Sequence, residues 1–208
     1  MDAHDHWQKI YSTRQPTEVG WYELNPALSR ELVGKAFQRG ARSVVDIGGG
    51  ASFLIDHLLD MGFERVAVVD IAEAAIALAK KRLGERARRV DWIVGDVTAL
   101  GDIGRFDVWH DRAVFHFLLD DEARHSYVEL SKRTVEPGGT AVIATFADDG
   151  PQRCSGLPVR RYSADQLAEE CGPGWKRIDA ERHVHRTPLG VAQNYIYSSF
   201  RRVDPHSN

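Results

Sequence analysis

Apolar and polar positions along this chain switch between two periods. Short, mostly apolar runs recur at Ser43–Asp46, Val66–Asp70, Arg89–Val94, Phe106–His110 and Thr140–Phe146. Runs of this length predict buried strands. Between them, apolar residues fall three and four apart, the spacing of a helix with one buried face. This predicts helices at Pro26–Phe37 (Leu28, Leu32, Val33 and Ala36 on one face), Phe53–Met61, Ala74–Leu83 and Asp121–Val135. Pro137-Gly138-Gly139 predicts a turn into the strand that follows. Ser163 is placed to cap a helix Ala164–Cys171, because its hydroxyl can accept from an early helical amide. Trp175–His185 and Ala192–Arg201 predict two strands joined as a hairpin through Thr187-Pro188-Leu189-Gly190. Strands alternating with helices imply an α/β fold, a mostly parallel sheet with helices on both faces. One domain is expected over residues 1–202, with 1–25 as a segment preceding the sheet and 203–208 as a loose tail.

The chemistry concentrates where the first two strands end. Val44-Val45-Asp46-Ile47-Gly48-Gly49-Gly50 runs from strand into a glycine turn, and Val66–Asp70 ends on an acid about twenty residues later. Glycines let backbone approach a ligand, and an acid at the next strand end can accept from ribose hydroxyls. A dinucleotide fingerprint asks for a third glycine, and Phe53 stands at that position. Asp46 would repel a pyrophosphate but attract an ammonium group. S-adenosylmethionine carries a ribose, a sulfonium and an amino-acid tail, so it suits both acids.

At these residues the chain resembles the class I S-adenosylmethionine-dependent methyltransferases. Asp46, Gly48 and Gly50 match the family's Asp-x-Gly-x-Gly motif, and Ser52 departs from a frequent further glycine. The resemblance implies a Rossmann-like, seven-stranded, mostly parallel sheet ending in a C-terminal antiparallel β-hairpin. It implies that Asp46, Gly48, Gly49 and Gly50 face the methionine part of the cofactor and that Asp70 holds the ribose beside Ile71. In Gly95-Asp96-Val97, Asp96 would meet the adenine amino group and the Val97 amide the ring. Residues at the fourth strand end, His110 and Asp111, would lie near the methyl donor and the incoming nucleophile. Asp111 is the candidate catalytic residue, able to orient a nucleophile. Arg112 could bind an acidic substrate, with Phe115 and His116 lining its pocket. No Asn-Pro-Pro-Tyr type of motif is present, which argues against adenine-N6 or glutamine-N5 methylation.

The N-terminal stretch Trp7–Tyr11 and Val19–Tyr22 is aromatic, fits no single amphipathic stripe and is broken by Pro16 and Gly20. It resembles the opening of small methyltransferases related to those acting on lysines of elongation factor and citrate synthase. That resemblance implies a lid, with Trp21 approaching the cofactor and Tyr11 closing the substrate side. Aromatic faces suit a sulfonium. Trp7 is expected to be a hydrophobic strap on the sheet edge.

Bulk properties refine this reading. The chain has 208 residues and a net charge of −3, with a pI near 6.3, so it has no general pull toward nucleic acid. Two cysteines, Cys154 and Cys171, make no disulfide framework or zinc spacing. No apolar run approaches membrane-spanning length, and the first residues lack a basic-then-apolar leader, so a cytoplasmic protein is expected. The basic cluster Lys80-Lys81-Arg82 with Arg86, Arg88 and Arg89 reads as a solvated face. Arg153, Arg160 and Arg161 could recognise a carboxylate or phosphate, and His183 with His185 lacks a third metal ligand. No metal is expected. The expected reaction is in-line methyl transfer, yielding S-adenosylhomocysteine, to a neutral N, S or O atom of a small molecule or a protein side chain such as lysine. The polar loop Asp148–Pro158 could cover a small substrate. A non-catalytic binding subunit of degenerate fold and an NAD-dependent oxidoreductase are the alternatives.

Overall fold

The computed structural model describes residues 2–204. The end of the expected tail, 205–208, lies outside the described residues. The chain opens with α1 (Ala3–Thr13) and a short 3-10 turn, Pro16–Glu18, before α2 (Ala27–Gln38). There follow β1 (Ser43–Ile47), α3 (Leu54–Met61), β2 (Arg65–Asp70), α4 (Glu73–Leu83), β3 (Val90–Val94) and β4 (Phe106–Arg112). The second half comprises α5 (Asp121–Thr134), β5 (Val135–Phe146), a small hairpin of β6 (Arg153–Cys154) and β7 (Leu157–Pro158), α6 (Ala164–Cys171), β8 (Trp175–Arg186) and β9 (Ala192–Arg202). Seven strands form one sheet in the order β3-β2-β1-β4-β5-β9-β8. β1 to β5 pair in parallel, while β9 pairs antiparallel with both β5 and β8. The strand order reverses direction between β1 and β4, where connections diverge and leave a crevice at the carboxyl ends.

Strand parity assigns every side chain near that crevice to one of two layers. Val44, Val66, Val68, Val108 and Val142 pack under α2 and α3. Val45, Ala67, Trp109, Ala141 and Ile143 pack on the opposite face with Tyr127 and Leu130 of α5 and Leu167 of α6. Successive strand residues point to opposite faces. Asp46, His110 and Arg112 therefore share the first layer's parity, and Asp111 takes the second.

Three local features differ from the sequence expectation. The turn expected at Pro137-Gly138-Gly139 is a bulge inside β5. The ladder pairs Phe106 with Val135 and then Val108 with Thr140, so β5 carries the extra residues, with Gly138 at φ 85°. β4 continues two residues beyond His110, because Asp111 and Arg112 still pair with Ile143 and Ala144. α1 forms where no stripe was evident. Its placement comes from tertiary contacts, among them Gln8 Oε1 accepting from the Ala74 amide at 3.1 Å. The Ser163 cap is present and is a full capping box with Gln166.

Candidate functional site

The glycine turn is built so that no side chain fits in it. Gly48 has φ 67°, and its amide donates to Val69 O at 2.7 Å. A Cβ there would overlap Val114, and one at Gly49 would overlap the Asp46 carboxylate. At Gly50 a Cβ would lie 2.6 Å from both Ala75 Cβ and Asp70 Oδ2. The Gly50 amide instead donates to Asp70 Oδ2 at 3.0 Å, and the Ala72 amide donates to Oδ1 at 2.8 Å. Asp70 thus ties the turn after β1 to the end of β2. Burial pushes its carboxyl up to about 6, although these two amides oppose the shift.

A cavity of about 180 Å3 opens over these strand ends. One side consists of Ile47, Gly48, Val69, Asp70 and Ile71 with Gly95, Asp96 and Val97. Asp96 Oδ1 accepts from the Thr98 amide at 2.8 Å and hydroxyl at 2.7 Å, and the residue is exposed. The other side is aromatic, with Trp7, Tyr11, Trp21 and Phe117. Trp21 Nε1 donates to Tyr11 Oη at 3.1 Å. Trp7 meets Trp21 at 5.4 Å and Phe117 at 5.1 Å, both edge to face. The expected edge strap at Trp7 is therefore corrected: α1 crosses the strand ends, and Trp7 lines the cavity.

A second, smaller cavity follows the other flank of the glycine turn, past Asp46, Gly49, Ser29, His110, Tyr22 and Glu23. Tyr11, Trp21, Ile47, Gly48 and Arg112 line both cavities. His110 Nδ1 lies 2.7 Å from Asp46 Oδ1, and its Nε2 lies 2.9 Å from Ser29 Oγ. Asp46 Oδ2 is buried without a hydrogen-bond partner. A buried carboxylate oxygen left unpaired is costly unless a donor arrives. Here it lies on a cavity that a donor can enter.

Arg112 is committed to holding the N-terminal segment. Its Nη1 donates to Trp21 O at 3.0 Å and its Nε to Tyr197 Oη at 3.0 Å, while Nη2 lies 3.3 Å from Glu23 Oε2. Glu23 Oε1 in turn lies 3.1 Å from His185 Nδ1, and His185 Nε2 donates to Gly20 O at 2.7 Å. Burial alone would raise the Glu23 carboxyl, but the His185 hydrogen bond and the Arg112 charge outweigh it and hold it below the usual range. Arg112 is thus ion-paired with Glu23 and tied to the N-terminal segment, yet it lines both cavities and its Nη2 has no hydrogen-bond partner.

Three other candidates face away from both cavities. Asp111, fully buried by its strand parity, accepts from the amides of Val114 at 2.8 Å and Phe115 at 3.0 Å and from Tyr127 Oη at 2.6 Å. These bonds fix the loop after β4 and leave it no nucleophile to orient. Its expected catalytic placement is corrected to a positioning one. Phe115 packs on Tyr127 and Tyr162 in the second layer. His116 Nδ1 accepts from the Phe146 amide at 3.2 Å. Burial, with Arg112 nearby, holds its imidazole neutral by lowering its pKa to about 3. The loop instead presents Ala113, Val114, Phe117 and Leu118 to the cavity. Ala113 adopts φ 71° there, a left-handed conformation that costs a non-glycine residue about 1–2 kcal/mol.

Charged residues sort differently from their sequence clusters. Arg82 turns inward, donating to Ala51 O at 3.1 Å and Ser52 O at 2.7 Å while its guanidinium stacks 4.2 Å from the Phe53 ring. It braces the glycine turn, a role that the basic run concealed. Arg153, Arg160 and Arg161 diverge to Gly156 O, Glu170 and Gly150 O, so they form no common anion site. Cys154, beside Arg153, lines the larger cavity. Among the described residues, no three His, Cys, Asp or Glu side chains are grouped to hold a metal. No helix among them is long and apolar enough to cross a membrane.

Residues 44–139 match a family described as a methyltransferase domain. The chain is 27% identical over 135 residues to the eEF1A lysine and N-terminal methyltransferase of Mus musculus, covering 64% of this chain and 19% of the relative. It therefore spans about a fifth of the length of that curated relative. Among solved structures, N-methyltransferase NodS from Bradyrhizobium japonicum WM9 in complex with S-adenosyl-L-homocysteine superposes with a TM-score of 0.74 at 14% identity, covering 98% of this chain and 100% of that one. A protein solved in work on conversion of a disulfide bond into a thioacetal group during echinomycin biosynthesis gives a TM-score of 0.77 at 23% identity, over 98% and 94% of the two chains. At these identities the structural likenesses speak to the fold.

Proposed function

We propose that this chain is a class I S-adenosylmethionine-dependent methyltransferase and that it methylates a nucleophilic N, S or O atom of a small molecule or protein side chain. The observation that carries the reading is the cradle at the strand ends. Three glycines leave no room for a Cβ, while the unpaired Asp46 Oδ2 and the Asp70 carboxylate lie on its two flanks. Those residues fit the cofactor's chemistry: a close backbone approach, an acceptor for an ammonium, and an acceptor for ribose hydroxyls.

S-adenosylmethionine supplies a methyl group on a sulfonium, already activated for displacement by a neutral nucleophile. The protein's contribution is to bind, align and exclude water. Asp70 holds the ribose, with Ile71 beside it. Asp96 and the Val97 amide read the adenine, and the Gly48–Gly50 backbone with Asp46 holds the amino-acid end. His110 acts on Asp46, fixing the carboxylate so that one oxygen stays free. Trp7, Tyr11 and Trp21 cover the cavity with aromatic faces suited to a sulfonium. Arg112 and Glu23 clamp that cover to β8 and β9.

The reading is tested by incubating the protein with methyl-tritiated S-adenosylmethionine and pools of amines, thiols, heteroaromatics and lysine-containing protein. Label transfer that Asp70→Ala abolishes is the expected result. No transfer to any pool, with no cofactor bound, refutes the reading.

A further inference from the structure

The larger cavity has a half that cofactor recognition leaves over. Asp70, Asp96, the glycine turn and Val97 occupy its strand-end side. The remainder is walled by Trp7, Phe117, Leu118 and Cys154. We infer that this half is the acceptor subsite and that it takes a flat group uncharged at neutral pH, a heteroaromatic nitrogen or weakly basic aryl amine of a small molecule. This inference rests on the methyltransferase reading and narrows its acceptor.

The two carboxylates lining the cavity lie on the strand-end side that the cofactor takes, and the titratable groups of the remaining half are engaged or neutral. Asp70 accepts from two amides and Asp96 from Thr98. Arg112 is bound to Trp21 O, Tyr197 and Glu23. The Tyr11 hydroxyl accepts from Trp21, and burial raises its pKa, so it stays protonated. Burial likewise pushes the Cys154 thiol up to about 12, with Arg112 opposing only in part. Among the described residues lining this half there is thus no carboxylate or imidazole to take a proton from an ammonium. A lysine amine, with an ordinary pKa near 10.4, would enter as a cation beside Arg112 and have nowhere to discharge. An uncharged ring nitrogen needs no base and can stack on the indole and phenyl faces.

The shape points the same way. Cys154 arrives on the β6–β7 hairpin, whose Ser155 Oγ lies 3.4 Å from His6 Nε2 of α1. Hairpin and helix thus meet across the cavity, enclosing a small molecule rather than offering an open shelf to a protein surface. In the transfer, the acceptor nitrogen's lone pair forms the new N–CH3 bond. The S–CH3 bond breaks with its electron pair left on sulfur. The positive charge passes to the acceptor, which sheds any N–H proton to water after release.

The test uses the wild-type protein, Cys154→Val and Cys154→Phe, with calorimetric S-adenosylhomocysteine binding as the control for folding and for the cofactor site. Methyl transfer is followed to pyridines, imidazoles and anilines, and to an internal-lysine peptide with blocked termini. Ring nitrogens or aryl amines should be labelled at least tenfold faster than the peptide. Cys154→Val should raise the acceptor KM severalfold. Cys154→Phe should cut acceptor kcat/KM at least a hundredfold, while cofactor affinity stays within about twofold. Lysine labelling equal to or faster than ring labelling overturns the inference, as does absence of any ring or aryl-amine labelling. Unchanged acceptor kinetics in both variants also overturns it. Failure of the wild type to bind S-adenosylhomocysteine is a different result, and it refutes the underlying methyltransferase reading.

Discussion

Lowering the pH should loosen cofactor binding through Asp70. The Asp70 carboxyl is raised to about 6 in the free site, first by burial, with the nearby Asp46 charge adding to it against the Ala72 and Gly50 amides. Ribose hydroxyls need an acceptor, so binding favours the ionised form. As pH falls through 6, protonated Asp70 accumulates in the free protein, and binding must first remove that proton. With a folded pKa of about 6, the apparent dissociation constant for S-adenosylhomocysteine rises about twofold at pH 6 and about tenfold at pH 5, or about 1.4 kcal/mol. Stability responds with the opposite sign. The folded pKa lies above the ordinary 3.8, so the folded state binds more protons between about pH 4 and 6, and Asp70 lowers stability as pH rises through that window. Calorimetric titration from pH 7.5 to 5 in two buffers of different ionisation enthalpy reads both the affinity and the released proton. An affinity flat across that range, or improving toward pH 5, would refute the assignment of Asp70 to the ligand.

Glu23→Gln leaves the Arg112 guanidinium with two hydrogen bonds and no counter-charge. It should cost about 1.5–3 kcal/mol and weaken S-adenosylhomocysteine binding, with hydrogen exchange rising first in residues 3–23. Uniform exchange across the chain would contradict the clamp. Gly48→Ala places a Cβ against Val114 at a positive φ, so it should destabilise by more than about 2 kcal/mol and abolish cofactor binding, both readable from melting with and without ligand. Asp111→Asn exchanges one acceptor oxygen for a donor facing Val114, Phe115 or Tyr127. It should lower the melting temperature while leaving the pH profile of kcat unchanged. A shifted kcat profile at normal stability would restore a catalytic role.

Much of the frame was legible in the sequence because it follows from short-range rules. Alternating periods located the strands and helices, and the Ser163 cap followed from hydroxyl geometry. Asp46, Gly48, Gly50 and Asp70 announced the cradle by type and spacing. The β4 exit is less legible, because adjacency in sequence suggests that His110, Asp111 and Arg112 share a site. Strand parity separates them: Val108 packs in one layer and Trp109 in the other, so Asp111 must face α5. That signal is present in the alternation of the strand. Trp7, Glu23, Arg82 and Cys154 carried no such signal. Their positions depend on where α1, the N-terminal segment and the β6–β7 hairpin settle, through contacts such as Glu23 with Arg112 and His185, far apart in the chain.

The central claim is that the cradle binds an adenosyl amino acid carrying a sulfur. It is tested most directly by calorimetric titration of the purified protein with S-adenosylhomocysteine, with NAD titrated in parallel. The account predicts one-site binding in the micromolar range for S-adenosylhomocysteine, lost in Asp70→Ala, and no measurable heat with NAD. Binding of NAD alone, or of neither compound, would contradict it.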